Sequence, residues 1–312
     1  GHCHPHIGEA IVNQFKTIVH IVFAGVTHSK AVELAERTVA LLPEHLTKVF
    51  FSDNGSTAVE VALKMIVQYW FNKGENKTRF LAMHGAYHGD TFGAMSVGQR
   101  GYFNAPFEGL FFDVDYIDFP SKSNTEQLLG RAEDLFASGE FAGLIVEPLV
   151  QGAAGMRMYS VDFLDRLTSL AKKYDVRIIF DEVMTGYGRT GKMFSLDHCS
   201  VKPDIIALSK GLTAGVMALG LTVASEEIYA AFLADETTKA LLHGHSFTAN
   251  PIACAVACAN LDLFEQPLTW TSIDSICEWN NAFSEELANF DCVVNIRQQG
   301  TILAFEIQSE KG

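Results

Sequence analysis

Asp181 closes the apolar run VRIIF, and Lys210 closes the run IIALS. Each is a reactive side chain at the end of a segment that reads as a buried strand. An aspartate at a strand end is common, and a single lysine is ordinarily a solvated surface residue. The pair says more than either residue. A lysine amine forms a Schiff base with an aldehyde once burial or nearby positive charge lowers its pKa. A carboxylate facing a pyridine nitrogen keeps that nitrogen protonated, so the ring can accept the electrons of a carbanion. Pyridoxal phosphate (PLP) chemistry uses both groups.

Such a cofactor also needs a phosphate cradle. The segment SDNGST (52–57) lies between a predicted strand, 48–52, and a helix beginning near Ser56. Free backbone N–H groups and the helix dipole make that terminus an anion site, with the Ser56 and Thr57 hydroxyls as added donors. By itself the segment reads as a plain N-cap. Beside Asp181 and Lys210 the anion reading gains weight.

The elements that must position these residues alternate regularly. Apolar or β-branched runs at 48–52, 79–83, 143–148, 176–182, 205–210 and 219–225 read as strands, and segments such as 56–71 and 161–174 as helices. Strands apolar throughout and separated by helices predict an α/β fold with a mostly parallel sheet covered on both faces. Ligands bind such sheets just beyond the carboxyl ends of the strands. A helix from Pro251 to about Gln266 is expected to leave this domain. The chain therefore divides into a large domain with its N-terminal segment, 1–266, and the beginning of a small C-terminal α+β domain, 267–312. It starts at Gly1 without Met or a leader and ends in GTILAFEIQSEKG, so both ends read as cut. No internal repeat or low-complexity linker interrupts it.

Composition narrows the partners. The 312 residues are 48% hydrophobic and 19% charged, an ordinary globular balance. A formal net charge of −14 without a basic stripe argues against nucleic acid. No charge-free apolar stretch is long enough to span a membrane. The six cysteines (3, 199, 254, 258, 277 and 292) form no C-x-x-C pair. Cys254 and Cys258 fall on one helix face and read as buried, reduced thiols, which fits a reducing cytoplasm. No metal is expected. His2, Cys3, His4 and His6 sit in a turn with Pro5 and Gly8, and the glycines beside His84 and His88 oppose the helix that zinc binding at that spacing requires. GYGRTG (186–191) matches a dinucleotide fingerprint in letters only, because it opens no long helix directly after a strand.

The segments SDNGSTAVEVALK, AYHGDTFGAMSV, FDEVMTGYGRTGK, PDIIALSKGLTAG and HGHSFTANP, in that order, resemble the class III aminotransferases of PLP fold type I. The resemblance covers essentially the whole chain. It implies that Lys210 carries the cofactor and shuttles the substrate proton, while Asp181 pairs with the pyridinium. Gly55 and Ser56 would hold the phosphate, and Tyr87 would stack on the ring and line the substrate pocket. Gly244, His245 and Ser246 would reach across a homodimer interface to the neighbouring subunit's cofactor and substrate. YHGDTFGAMSV, EPLVQGAAGMRMY and GHCHPHIGEA resemble the biotin-pathway branch of the family. That branch moves an amino group from S-adenosylmethionine to 8-amino-7-oxononanoate, giving 7,8-diaminononanoate. Relatives acting on ornithine or 4-aminobutyrate typically carry Arg where this chain has Asp90. Asp90 would then help to select the substrate, positioned by Arg189. Glu147 is expected near the site without an assigned task.

Some positions depart from the family pattern. Asn54 stands for the usual Ser of the cradle, Ser246 for Thr, and Ala249 for a common Gly. The family's paired tryptophans and a pocket tyrosine should precede Gly1, and its carboxylate-binding arginine should follow Gly312. Two other readings stay open: an aminotransferase for an ω-amino acid or diamine, and a truncated relative that binds PLP or dimerises without turnover.

Overall fold

The computed structural model describes residues 2–308. In chain order the elements are α1 (Pro5–Phe15), α2 (Ser29–Ala40), β1 (Leu46–Ser52), α3 (Gly55–Asn72), β2 (Arg79–Met83), α4 (Phe92–Val97) and β3 (Val114–Ile117). They continue through α5 (Thr125–Ala137), β4 (Phe141–Val146), β5 (Val150–Gln151), β6 (Arg157–Met158), α6 (Val161–Lys173), β7 (Arg177–Asp181), β8 (Ile205–Leu208) and β9 (Gly220–Ser225). The last are α7 (Glu226–Ala230), α8 (Pro251–Phe264), α9 (Pro267–Leu287), β10 (Val293–Gln299) and β11 (Ile302–Ile307).

Seven strands form one sheet in the order β1-β9-β8-β7-β4-β2-β3. β8, β7, β4, β2 and β3 run parallel, and β9 is antiparallel to both of its neighbours. The alternation of side chains across each strand divides two cores. Leu81, Leu144, Phe180 and Ile206 face one, and Phe80, Ile145, Ile179 and Ile205 the other. With both faces covered, the inner strands β4 and β8 are apolar at every position, the pattern expected from the sequence.

The helices form for local reasons. Asn54 caps α3 by accepting from Thr57 N–H at 3.0 Å, and Thr57 Oγ1 accepts from Asn54 N–H at 3.1 Å. Ser160 caps α6 through Phe163 N–H, Lys172 and Lys173 occupy its last turn, and Phe163, Leu164, Leu167 and Ala171 bury one stripe. α8 differs from the expectation: it does not depart from the domain. Its small residues, among them Ala253, Cys254, Ala257 and Cys258, let it sit buried on nearly every side, packed on α1 and α2. The chain leaves that core only after Phe264, turning into α9 and the hairpin β10–β11.

Three short strands escaped the sequence reading. β3 holds two acceptable strand faces in only four residues, and β5 and β6 are two residues each, too short for periodicity to register. Among the described residues no helix is long and apolar enough to cross a membrane. All six cysteines are free; Cys199, Cys254 and Cys258 are buried, and Cys3 and Cys292 exposed.

Candidate active site

The strand order reverses between β2 and β4: β2 leads outward to β3, whereas β4 leads through β7 to β8. Above the carboxyl ends of these strands opens a cavity of about 990 Å³. It is lined by Gly55, Ser56, Tyr87, Asp181, Arg189 and Lys210, six of the residues singled out in the sequence, and by His2, His88, Gly89 and Glu147.

Asp181 is the last residue of β7, and the parallel register sets it beside Ala207 of β8, just before Lys210. It is buried, with 4% of its surface exposed. Oδ1 accepts from Val183 N–H at 3.0 Å, and Oδ2 faces Nδ1 of the fully buried His88 at 2.7 Å. Lys210 follows β8 in the left-handed region, φ 41°, and its side chain is open to the cavity. Asn260 on α8 fastens the next turn by donating to Gly211 O at 2.7 Å.

Tyr87 and His88 belong to a strap, residues 84–91, that joins β2 to α4. It is tied to α3 both at its end and at the first turn of α4. Asp90 N–H donates to Ser56 Oγ at 3.1 Å, and Glu60 of α3 accepts from Gly93 and Ala94 N–H at 3.1 and 2.9 Å. Gly89 has φ 124°, and a Cβ there would overlap Ser56 Oγ, so only glycine lets the strap lie this close to the start of α3. Gly55 meets Val183 in the same way: an added Cβ would stand 2.6 Å from Val183 Cγ1. Burial, then the hydrogen bond to Asp90, pushes the Tyr87 phenol up to about 12, so it is a hydroxyl donor at neutral pH.

Two carboxylates near the site are shifted by burial. Glu147, beyond β4, and Glu182, beside Asp181, are each pushed up to about 7. For Glu147 the nearby His88 works against burial and Asp181 with it. Glu182 accepts from Ser195 and Leu196 N–H and from Thr185 Oγ1, and so closes the loop that carries Arg189.

Two expectations change. Asp90 is not positioned by Arg189: its Oδ2 accepts from Tyr87 Oη at 2.8 Å, while Arg189 stands exposed on the cavity wall. Thr57 offers no donor to an anion, because its hydroxyl donates to Asp53 Oδ1 at 2.9 Å within the cap. Gly244, His245 and Ser246 do not line this chain's cavity but lie in the surface segment before α8. Two of the declined histidines have structural work, His4 as the cap of α1 and His6 paired with Asp262 at 2.7 Å. The GYGRTG segment is a loop with left-handed Tyr187, Gly188 and Gly191. His88 was missed. Its signal was the setting, a histidine in a glycine-flanked strap beside a predicted ring-stacking tyrosine.

Residues 1–312 match the family described as Aminotransferase class-III. The chain belongs to the class-III aminotransferase family. A curated relative of this class-III chain, adenosylmethionine-8-amino-7-oxononanoate aminotransferase of Synechococcus elongatus, is 45% identical over 320 residues, covering all of this chain and 75% of the relative. The Geobacter sulfurreducens protein of the same name is 41% identical, covering all of this chain and 72% of its own. Among solved structures, the crystal structure of the Methanocaldococcus jannaschii protein of that name superposes with a TM-score of 0.93 at 36% identity, covering 98% of this chain and 71% of that one. A PLP-bound amine transaminase from an uncultivated Pseudomonas species gives 0.91 at 31% identity, covering 100% and 74%.

PLP is the cofactor of this class-III aminotransferase. The cavity fits it. An amine open to the cavity and a buried carboxylate stand at or just beyond the ends of neighbouring strands, and Gly55 and Ser56 line the cavity at the start of α3. His88 Nε2, on the cavity wall, is a buried polar atom without a partner among the described residues. When bound, PLP supplies an electron sink for the pair left as a proton departs from the amine-bearing carbon.

Proposed function

We propose that this chain transfers an amino group from S-adenosylmethionine to the ketone of 8-amino-7-oxononanoate, giving 7,8-diaminononanoate in biotin biosynthesis. The observation that carries the reading is the 45% identity, over the whole chain, to a relative with that name. The fold does not choose the donor, since the Methanocaldococcus enzyme and the Pseudomonas amine transaminase superpose almost equally well, with TM-scores of 0.93 and 0.91. Sequence similarity favours the first.

In this reading Lys210 Nζ takes the proton from the donor carbon and returns it elsewhere, the donor leaves as a keto acid, and the acceptor ketone receives the amine in reverse order. Asp181 holds the proton on the pyridine nitrogen, and His88 holds Asp181. Ser56 and the free N–H groups of α3 bind the phosphate. Tyr87 covers the ring, and Asp90, through the Tyr87 hydroxyl, shapes the substrate side. Arg189 is a cation on the cavity wall suited to a substrate carboxylate. Gly244, His245 and Ser246 serve the site of a second copy in a homodimer, which their place outside this chain's cavity supports. The large unit ends near residue 266, and the free thiols suit the cytoplasm.

The test is product formation. Protein, PLP, S-adenosylmethionine and 8-amino-7-oxononanoate together should yield 7,8-diaminononanoate by mass spectrometry. Product with an ω-amino acid or diamine as donor, and none with S-adenosylmethionine, would overturn the substrate assignment and keep the chemistry.

A further inference from the structure

Glu147 stands one residue beyond β4, 4% exposed, and none of the roles above uses it. Its carboxylate joins two walls of the cavity. Oε1 accepts from Tyr87 N–H at 2.9 Å, and Oε2 accepts from Gly152 N–H at 2.9 Å. Tyr159 Oη donates to the Glu147 backbone carbonyl at 2.7 Å and fixes the residue from behind. The hairpin β5–β6 that carries Gly152 grips the strap a second time, through Arg157 Nη2 and Gln151 Nε2, which both donate to His84 O at 2.9 and 3.2 Å. The hairpin is itself anchored, because Arg297 of β10 donates to Gly155 O and to Met156 O at its tip. The carboxylate ties the middle of the strap, at Tyr87, to this anchored wall.

We propose that Glu147 is a positioning residue of the reaction centre, whose two oxygens hold the backbone of Tyr87 at a fixed distance from the Gly152 wall. It rests on the aminotransferase reading above. Only a group with an acceptor at each end of a short fork satisfies two facing N–H donors in a buried place. Among the described residues nothing else tethers the Tyr87 amide. Glu147→Gln keeps the size and shape but turns an NH2 group toward one of the two donors, so one tether is lost.

The test uses the PLP-loaded protein. Glu147→Gln should retain PLP, melt a few degrees lower, and lose about tenfold in kcat/KM for donor and acceptor alike, the scale of one buried hydrogen bond. The visible circular dichroism of the bound cofactor should weaken, because Tyr87 no longer sits against it at one angle. Glu147→Asp, too short to reach both amides, should show the same loss. In a Tyr87→Ala background, where there is no ring to position, Glu147→Gln should cost less than about twofold. An equal loss in both backgrounds overturns the proposal, as do parental kcat/KM and dichroism in Glu147→Gln. A parent protein inactive with every donor would overturn the aminotransferase reading and this inference with it.

Discussion

His88 Nδ1 lies 2.7 Å from Asp181 Oδ2, with the imidazole fully buried and the carboxylate nearly so. One partner follows β2 and the other ends β7, so the contact joins the strap to the strand that presents the carboxylate. A buried carboxylate needs its acceptors filled, and His88 and Val183 N–H fill one site on each oxygen. The remaining acceptor capacity is what a protonated ring nitrogen can use.

His88→Leu removes this donor at similar volume. Leaving a buried charged acceptor short of one partner costs about 1–3 kcal/mol. The variant should melt several degrees lower and lose at least about tenfold in kcat/KM. Unchanged PLP affinity and kcat/KM would show that Asp181 holds its place without the imidazole.

Lys210→Ala should still bind PLP through the cradle and Asp181. Turnover should fall by about 10²–10⁴-fold or more, the usual worth of a positioned general acid–base group. Borohydride, which fixes the cofactor to the parent chain, should leave it removable in the variant. Near-normal turnover contradicts the role given to Lys210.

Gly89→Ala tests the cradle. The added Cβ would overlap Ser56 Oγ at φ 124°, so the strap must lift from α3. PLP retention on dialysis should drop about tenfold or more, since the added Cβ pushes Ser56 and the start of α3 out of place. Gly8→Ala is the control: nothing lies within 4 Å of its Cβ inside α1, and helix propensity predicts a gain of up to about 1 kcal/mol. Equal retention in both variants would remove the cradle from the account.

Glu182 sets a pH dependence of stability. Burial pushes its carboxyl up to about 7 from the ordinary 4.5. The folded protein therefore keeps this proton where the unfolded chain has lost it. The resulting stability is full below about pH 4.5 and is lost as pH rises through about 7, and Glu147 adds in the same sense. The melting temperature should fall between about pH 5 and pH 8, and Glu182→Gln should flatten that fall. A parental slope in the variant would contradict the assignment.

The chemistry was legible where one residue ends one strand. Asp181 and Lys210 are fixed by periodicity and strand ends, so a sequence rule reaches them. The strap was not legible, because its pairings join residues far apart in the chain: His88 to Asp181, Asp90 to Ser56, Tyr87 N–H to Glu147. Asp90 was given to Arg189 on charge alone, whereas the nearer Tyr87 hydroxyl, three residues away, claimed it first. Thr57 was read as a donor to phosphate, and the competing demand of the helix cap took its hydroxyl. The helix from Pro251 was expected to leave the domain, whereas its small residues allow it to be buried there.

The most direct test is the visible absorbance of the PLP-loaded protein before and after S-adenosylmethionine, lysine, ornithine or 4-aminobutyrate is added singly, without an acceptor. The account predicts that S-adenosylmethionine alone bleaches the band of the lysine-bound cofactor. Bleaching only by another amine would contradict the donor assignment, and no change with any of the four would contradict the reading of the cavity as a working aminotransferase site.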